Sequence, residues 1–237
     1  MSGKIQPSQE EIELETQKFK STATPELQES LYVHEVYNDI AQHFSQTRYK
    51  PWPMVAQFLG SISDYSLGVD VGCGNGKYLT VNPKLYIVGS DYSTGLLDQA
   101  VQLHQRELND LVVADGMMLP HETKRFDFAM SIAVVHHFST KERRVAAIRE
   151  ILRVVRCGGR ALVYCWALEQ EKSRRGYREG MEQDILVPWV TKDGTTRMRY
   201  YHLYKKGELE EDCVAAGGKI VQSGYEKDNW WVIVERI

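Results

Sequence analysis

The sequence predicts an α/β fold: a seven-stranded, mainly parallel sheet with helices on both faces and an antiparallel last strand. Three observations predict it. Short apolar runs alternate with amphipathic segments between Leu67 and Trp166, a glycine-rich turn follows the first run, and the last two runs lie too close for a parallel crossover.

Residues 1–30 carry six glutamates, three lysines and one aromatic, Phe19. They read as a mobile tail with a frayed helix over about residues 10–20. Residues 31–237 read as one domain. Val33, Val36, Tyr37, Ile40, Ala41 and Phe44 form the stripe of an amphipathic helix. Pro51 and Pro53 then break the chain and start a short helix through Val55, Phe58 and Leu59. Strands are predicted over residues 67–71, 86–89, 111–114, 126–132 and 160–166. A helix over about 95–108 joins the second to the third. Another over 140–156 joins the fourth to the fifth, with Cys157-Gly158-Gly159 as its stop. Apolar strands separated by helices mean βαβ units, with right-handed crossovers. A helix near residues 208–216 ends at Gly217-Gly218, and strands over about 219–224 and 229–234 form the closing hairpin.

Composition narrows the function. Hydrophobic residues make up 43% and charged residues 26% of the 237, as in ordinary globular chains. No apolar run approaches the roughly 18 residues of a membrane span, and the start has neither a signal-peptide core nor the Arg-rich bias of a transit peptide. The four cysteines are scattered with no C-x-x-C pair, which argues against a self-contained zinc site and a disulfide framework; no metal is expected, and the compartment expected is cytosol or nucleus. The net charge of −3 is not that of a duplex-wrapping protein, yet basic residues cluster at 141–144, 172–178 and 197–206. A local basic surface on such a body suits a folded RNA; solvated helix and loop faces would look the same.

The most informative stretch is Asp70-Val71-Gly72-Cys73-Gly74-Asn75-Gly76, between the first strand and the next helix. An open α/β sheet places its ligand there, and glycines allow the backbone to approach it. A dinucleotide fingerprint would need glycine where Lys77 stands, and a phosphate-binding P-loop would need Gly-Lys-Ser/Thr. The ligand therefore lacks a pyrophosphate. Asp91 follows the second strand, 21 residues after Asp70, where a carboxylate accepts both hydroxyls of a ribose. Asp115 and Gly116 follow the third strand, with Asp115 placed to accept from an adenine amino group and Met117 to pack on the ring. Each aspartate alone would be a helix cap or a turn. Together at the ends of three consecutive strands, they resemble an S-adenosylmethionine site on a Rossmann-like, class I methyltransferase sheet. His136, past the fourth strand, and Arg48, after the amphipathic helix, are the candidate catalytic groups at the acceptor; a loop hydrogen bond and a surface ion pair are their bland alternatives.

Longer strings carry a closer resemblance: Val36 to Ser45, Arg48 to Pro53, Trp166 to Gln170, Leu186 to Val190 and Tyr200 to Leu209. Over residues 31–237 the chain resembles the eukaryotic tRNA wobble-uridine carboxymethyl methyltransferases. The resemblance implies esterification of 5-carboxymethyluridine at the wobble position of a tRNA, and heterodimer formation with a small zinc-binding activator protein. It implies that Arg48 and His136 approach the modified base, and that Trp189 and the segment from Arg199 through Tyr201 to Tyr204 help form the RNA side. Arg174 and Arg175 join that side from the basic cluster around them. A small-molecule O-methyltransferase, acting on a quinone or lipid precursor, would share the cofactor site but show no dependence on RNA.

A carboxylate acceptor is ionised at neutral pH, so its esterification needs no general base; an arginine, Arg48, suits its second oxygen. In the usual class I strand order, residues Leu111, Val112, Val113 and Ala114 lie at a sheet edge without charge, proline or bulge to protect them. That edge is the expected place for the activator to add a strand, unless a local loop covers it.

Overall fold

The computed structural model describes residues 7–47, 50–103, 110–170, 173, 176–191 and 193–237. The N-terminal part has helices α1 (Gln9–Ser21) and α2 (Pro25–Glu29), then a π-helical turn (Ser30–His34) that runs into α3 (Glu35–Ser45), and α4 (Pro53–Ser61). The central part follows as β1 (Leu67–Val71), β2 (Tyr86–Asp91), α5 (Thr94–Leu103), β3 (Leu111–Val113), β4 (Phe126–Ile132), α6 (Lys141–Val154) and β5 (Val155–Trp166). The chain ends with β6 (Asp184–Val190), β7 (Thr196–His202), α7 (Glu208–Ala215), β8 (Gly218–Glu226) and β9 (Asn229–Arg236).

Seven strands form the main sheet in the order β3-β2-β1-β4-β5-β9-β8. The first five are parallel, and β9 is antiparallel to both β5 and β8, as the sequence predicts. Side chains leave a strand alternately to its two faces. Val69, Val71, Val163 and Val232 therefore pack on Ile148, Ile151 and Leu209, while Ile87, Phe128, Met130 and Tyr164 pack with Phe58 and Leu59 of α4. Each such buried side chain contributes about 1.5–3 kcal/mol.

Two expectations are corrected. The glycine pair does not stop a helix: α6 ends at Val154, and β5 begins at the next residue because Val155 pairs directly with Phe126. Gly158 and Gly159 lie inside β5, where the register against β4 is irregular. The second correction concerns the amino-terminal segment. Residues expected as a mobile tail form α1 and α2 over residues 9–29. Ser8 and Glu11 close a capping box on α1, and Phe19 stacks on Tyr200 with ring centroids 4.7 Å apart.

The surface that receives Phe19 is β6 and β7, which form a separate antiparallel pair; the segment from Arg197 to Lys206, which suits unstacked bases or a buried tyrosine-rich hairpin by its sequence, supplies the second strand of this hairpin. One face of the hairpin packs Leu186, Met198 and Tyr200 with Phe19, Tyr32 and Val33; the other packs Val187, Tyr201 and Leu203 with Leu168. An isolated two-stranded hairpin is marginal in water. Burial on both faces stabilises this one. The hairpin is joined to the main sheet where Tyr204 N donates to Trp166 O at 2.9 Å and Leu168 N donates to Tyr204 O at 2.9 Å. No helix among the described residues is long and apolar enough to cross a membrane.

Candidate active site

A cavity of about 550 Å³ opens where the carboxyl ends of β1, β2 and β4 meet the hairpin, a volume in the usual range for small-molecule sites. Its floor is the glycine turn after β1. Gly72 (φ +78°) and Gly74 (φ +56°) are left-handed, and a Cβ on Gly72 would stand 2.2 Å from Val134 Cγ2. A Cβ on Gly74 would meet open space, so there the backbone conformation alone requires glycine. The end of β2 holds this turn in place. Gly72 N and Cys73 N donate to Ser90 O at 2.7 and 3.0 Å. Asp91 accepts from Gly74 N and Ser93 N, both at 2.8 Å. Burial pushes the Asp91 carboxyl up, and backbone N–H donors from Ser93, Gly74 and Tyr92 oppose that.

Asp70 lies behind the turn rather than on the cavity wall. It is buried, and neither carboxylate oxygen has a hydrogen-bond partner. Burial, followed by the neighbouring Asp91, pushes its carboxyl up to about 8, against the pull of Lys77. A buried carboxyl with no hydrogen-bond partner beneath a glycine cradle fits a cationic ligand such as S-adenosylmethionine, which carries an ammonium and a sulfonium. Gly76 is likewise absent from the wall and serves the turn behind it. Asp115 and Gly116 line the cavity, with Asp115 Oδ1 accepting from Met117 N at 2.8 Å. Met117 does not line it; the apolar wall beside Gly116 is Phe138 instead.

His136 is turned away from the cavity, and His137 takes its place on the wall. The two lie in a single 3₁₀ turn, where neighbouring side chains diverge. His136 Nδ1 accepts from Trp166 N at 3.0 Å, and burial holds its imidazole well below the usual histidine range. His137 Nδ1 lies 2.7 Å from Tyr200 O, which only accepts, so this nitrogen carries the proton. Its Nε2 then accepts from the Tyr37 hydroxyl at 3.0 Å. Burial brings the His137 pKa down to about 3. His137 is therefore fixed as one neutral tautomer.

The residues assigned to the RNA side separate. Tyr201 is buried and lines the cavity. Arg199 is only 2% exposed, a buried cation rather than a surface phosphate contact. Tyr204 is fully buried and donates to Asp212 Oδ2 at 3.0 Å, which makes it a core residue. Trp189 packs beside Phe44 and donates from Nε1 to His43 Nδ1 at 3.2 Å. Arg48, Arg174 and Arg175 lie outside the described residues; Thr47 and Lys50 to Trp52, which flank Arg48, line the cavity. Sequence reasoning missed Tyr37, Gln170 and Asn229 on the wall, and of the two adjacent histidines it chose His136 where His137 lines the cavity. For Tyr37 a signal existed, since the apolar stripe of α3 turns it inward. Gln170 and Asn229 had none: each is fixed by its amide nitrogen donating to a backbone carbonyl, at 2.7 Å to Ala167 O and 2.6 Å to Lys227 O.

The sheet order, the glycine turn and the three aspartates at successive strand ends define a class I S-adenosylmethionine-dependent methyltransferase, and a family profile described as a methyltransferase domain matches residues 69–163. The fold is shared with 1,6-didemethyltoxoflavin-N1-methyltransferase of Burkholderia thailandensis, at a TM-score of 0.69 and 15% identity, over 91% of each chain. Similarity in sequence is much closer to two proteins named tRNA (carboxymethyluridine(34)-5-O)-methyltransferase. That of Saccharomyces cerevisiae is 46% identical, spanning 88% of this chain and 96% of the relative. That of Schizosaccharomyces pombe is 48% identical, spanning 88% and 97%. The chain belongs to this family of tRNA wobble-uridine methyltransferases.

Proposed function

We propose that this chain transfers a methyl group from S-adenosylmethionine to the carboxylate of 5-carboxymethyluridine at the wobble position of a tRNA, forming the methyl ester. Family membership supports the substrate class. The observation that carries the carboxylate is the state of the wall histidines: His137 keeps its proton on Nδ1 while its Nε2 lone pair already accepts from Tyr37, and burial makes both His137, with a pKa of about 3, and His34 weaker bases than a free imidazole. An alcohol or amine acceptor needs a base that takes its proton, whereas a carboxylate arrives ionised.

The cofactor supplies a methyl group activated on a sulfonium. Asp91 would accept the ribose hydroxyls, Asp115 and Phe138 would form the adenine end, and Asp70, whose carboxyl burial pushes up to about 8, would ionise against the positive charge of the cofactor. Tyr37, Trp52 and Trp166 line the cavity, and water displaced from their rings by the substrate would strengthen the charge interactions within it. Arg48 is assigned to the carboxylate oxygen that does not react.

Labelled S-adenosylmethionine with bulk tRNA, followed by nucleoside analysis, tests the reading. Label released by mild alkali is expected, whereas alkali-stable label, or transfer without tRNA, would overturn it. At saturating substrates the rate should be flat from pH 6 to 8, because no group on the wall must ionise. A rise through pH 6.5, lost in His137→Ala, would instead mean base catalysis. The same depressed pKa makes His137 a source of acid sensitivity. Its contribution is fully present above the unfolded value of about 6.5 and is lost as pH falls towards 3.

The partner reading rests on β3. This edge strand has three residues, Leu111–Val113, and the buried Ala114 follows it, donating its N–H to Asp91 O of β2 at 2.9 Å. Val112 packs against the core, while Val113 is 57% exposed. A groove lined by Tyr86, Val88, Val112 and Phe126 runs beside the strand. We assign this edge to the small zinc-binding activator, adding a strand to the sheet. Val113→Lys should abolish co-purification of the activator and leave the melting temperature of the isolated chain within about 2 °C. Unchanged hydrogen exchange at residues 111–113 on adding the activator would refute the assignment.

A further inference from the structure

Arg199 is a buried cation with no counter-ion among the described residues. Its side chain projects from β7 on the same face as Tyr201, two residues on, as strand geometry requires. It is 2% exposed, and no carboxylate lies within salt-bridge distance of it among the described residues. Its guanidinium sits instead among three rings, with its carbon 4.8 Å from the centroid of Trp189, 5.2 Å from Tyr201 and 5.8 Å from Tyr37. Nη1 donates to the Tyr201 hydroxyl at 2.8 Å and more weakly to the Tyr37 hydroxyl at 3.4 Å, and Nε has no partner. Buried charges in folded proteins are paired, because an isolated one is expensive to desolvate. Aromatic faces offset only part of that cost.

The hydroxyls lead to the cavity. Tyr37 spends its single proton on His137 Nε2, so in its contact with Tyr201 at 2.9 Å it is the acceptor. The Tyr201 proton is therefore directed at Tyr37, from which it can turn to another acceptor. Tyr37, Tyr201 and His137 all line the cavity, whereas Arg199 stands behind them.

We propose, on the reading given above, that the substrate carboxylate is the missing counter-ion of Arg199: the Tyr201 hydroxyl binds it directly, and Arg199 is the positioning residue that polarises this hydroxyl and sets the preference for an anionic acceptor. Tyr201 turns its proton from Tyr37 to a carboxylate oxygen while continuing to accept from Arg199, which makes the new bond charge-assisted at both ends. The preference is for the acid over its neutral relatives. Esterification removes the charge, so the product loses this hold while the acid keeps it.

The test compares the affinities of the chain for two tRNAs that differ only at the wobble base, one with a carboxymethyl group and one with the uncharged, nearly isosteric carbamoylmethyl group. The wild type should prefer the acid by about tenfold or more. Arg199→Met and Tyr201→Phe should each cut that preference severalfold, the remainder being held by Arg48, and Arg199→Lys should restore it only in part. Melting temperature separates this from a structural role. Removing a buried unpaired charge should leave Arg199→Met as stable as the wild type or more so, where loss of a structural tie would lower its melting point. A full preference for the acid in Tyr201→Phe, which removes only an oxygen, would overturn the proposal even if Arg199→Met failed to fold. No preference in the wild type itself would count against the carboxylate reading, whereas a preference kept in full by both variants would refute this inference alone.

Discussion

Replacing Asp91 by alanine is expected to weaken S-adenosylmethionine by about 3 kcal/mol, on the order of a hundredfold in affinity. Two losses combine. The ribose loses a charged acceptor, and the glycine turn loses the carboxylate that accepts from Gly74 N and Ser93 N. The second loss also leaves two N–H groups without their acceptor, each able to cost about 1 kcal/mol or more. Cofactor titration by calorimetry with a parallel melting curve would separate the two. Affinity within threefold of wild type would show that the ribose sits elsewhere. Asp91→Asn should lie between, because its amide oxygen still accepts one N–H while its NH₂ faces another donor.

The second large effect concerns the amino-terminal helices. Glu29 is 2% exposed and binds Arg143 at both oxygens, at 2.8 Å from Nε and 2.7 Å from Nη2. It also accepts from Ser139 N at 2.8 Å. Removing one partner of a buried ion pair costs about 3–5 kcal/mol. The Arg143 side chain is 20% exposed, so the low end, about 3 kcal/mol, applies to Glu29→Ala. A chain of this size should then melt roughly 6–10 °C lower. The double variant Glu29→Ala/Arg143→Ala should cost clearly less than the sum of the singles, since each removes the same interaction. Unchanged protease resistance of residues 9–29 in Glu29→Ala would show that this ion pair does not hold the helices down.

The docking of this segment shows where local signals stop. Residues 1–30 look like a tail because six acids and one aromatic cannot bury enough apolar surface alone. Phe19 finds its partner, Tyr200, 181 residues later in the chain. The hairpin that carries Tyr200 was itself obscure. Its second strand interleaves arginines with Met198 and tyrosines, which suits an RNA-facing surface as well as a buried hairpin, and Pro188 interrupts the apolar run of the first. The choice between His136 and His137 was beyond reach for another reason. Both precede Phe138 in one tight turn, and which ring enters the cavity depends on Trp166 N and Tyr200 O, supplied by β5 and β7.

The sequence by itself determined the parts whose physics is local. Strand and helix periods set the α/β class, the short final turn set the antiparallel hairpin, glycines marked the turn after β1, and aspartates at the ends of β1 and β2 and beyond β3 marked the cofactor end. Tertiary structure alone decided the acceptor end. Tyr37, His137, Arg199 and Tyr201 meet in one hydrogen-bonded chain whose members are separated by up to 164 residues. Their roles depend on burial and on which lone pairs remain free. Burial and hydrogen-bond direction are properties of neighbours in space, and no period or spacing along the chain encodes them.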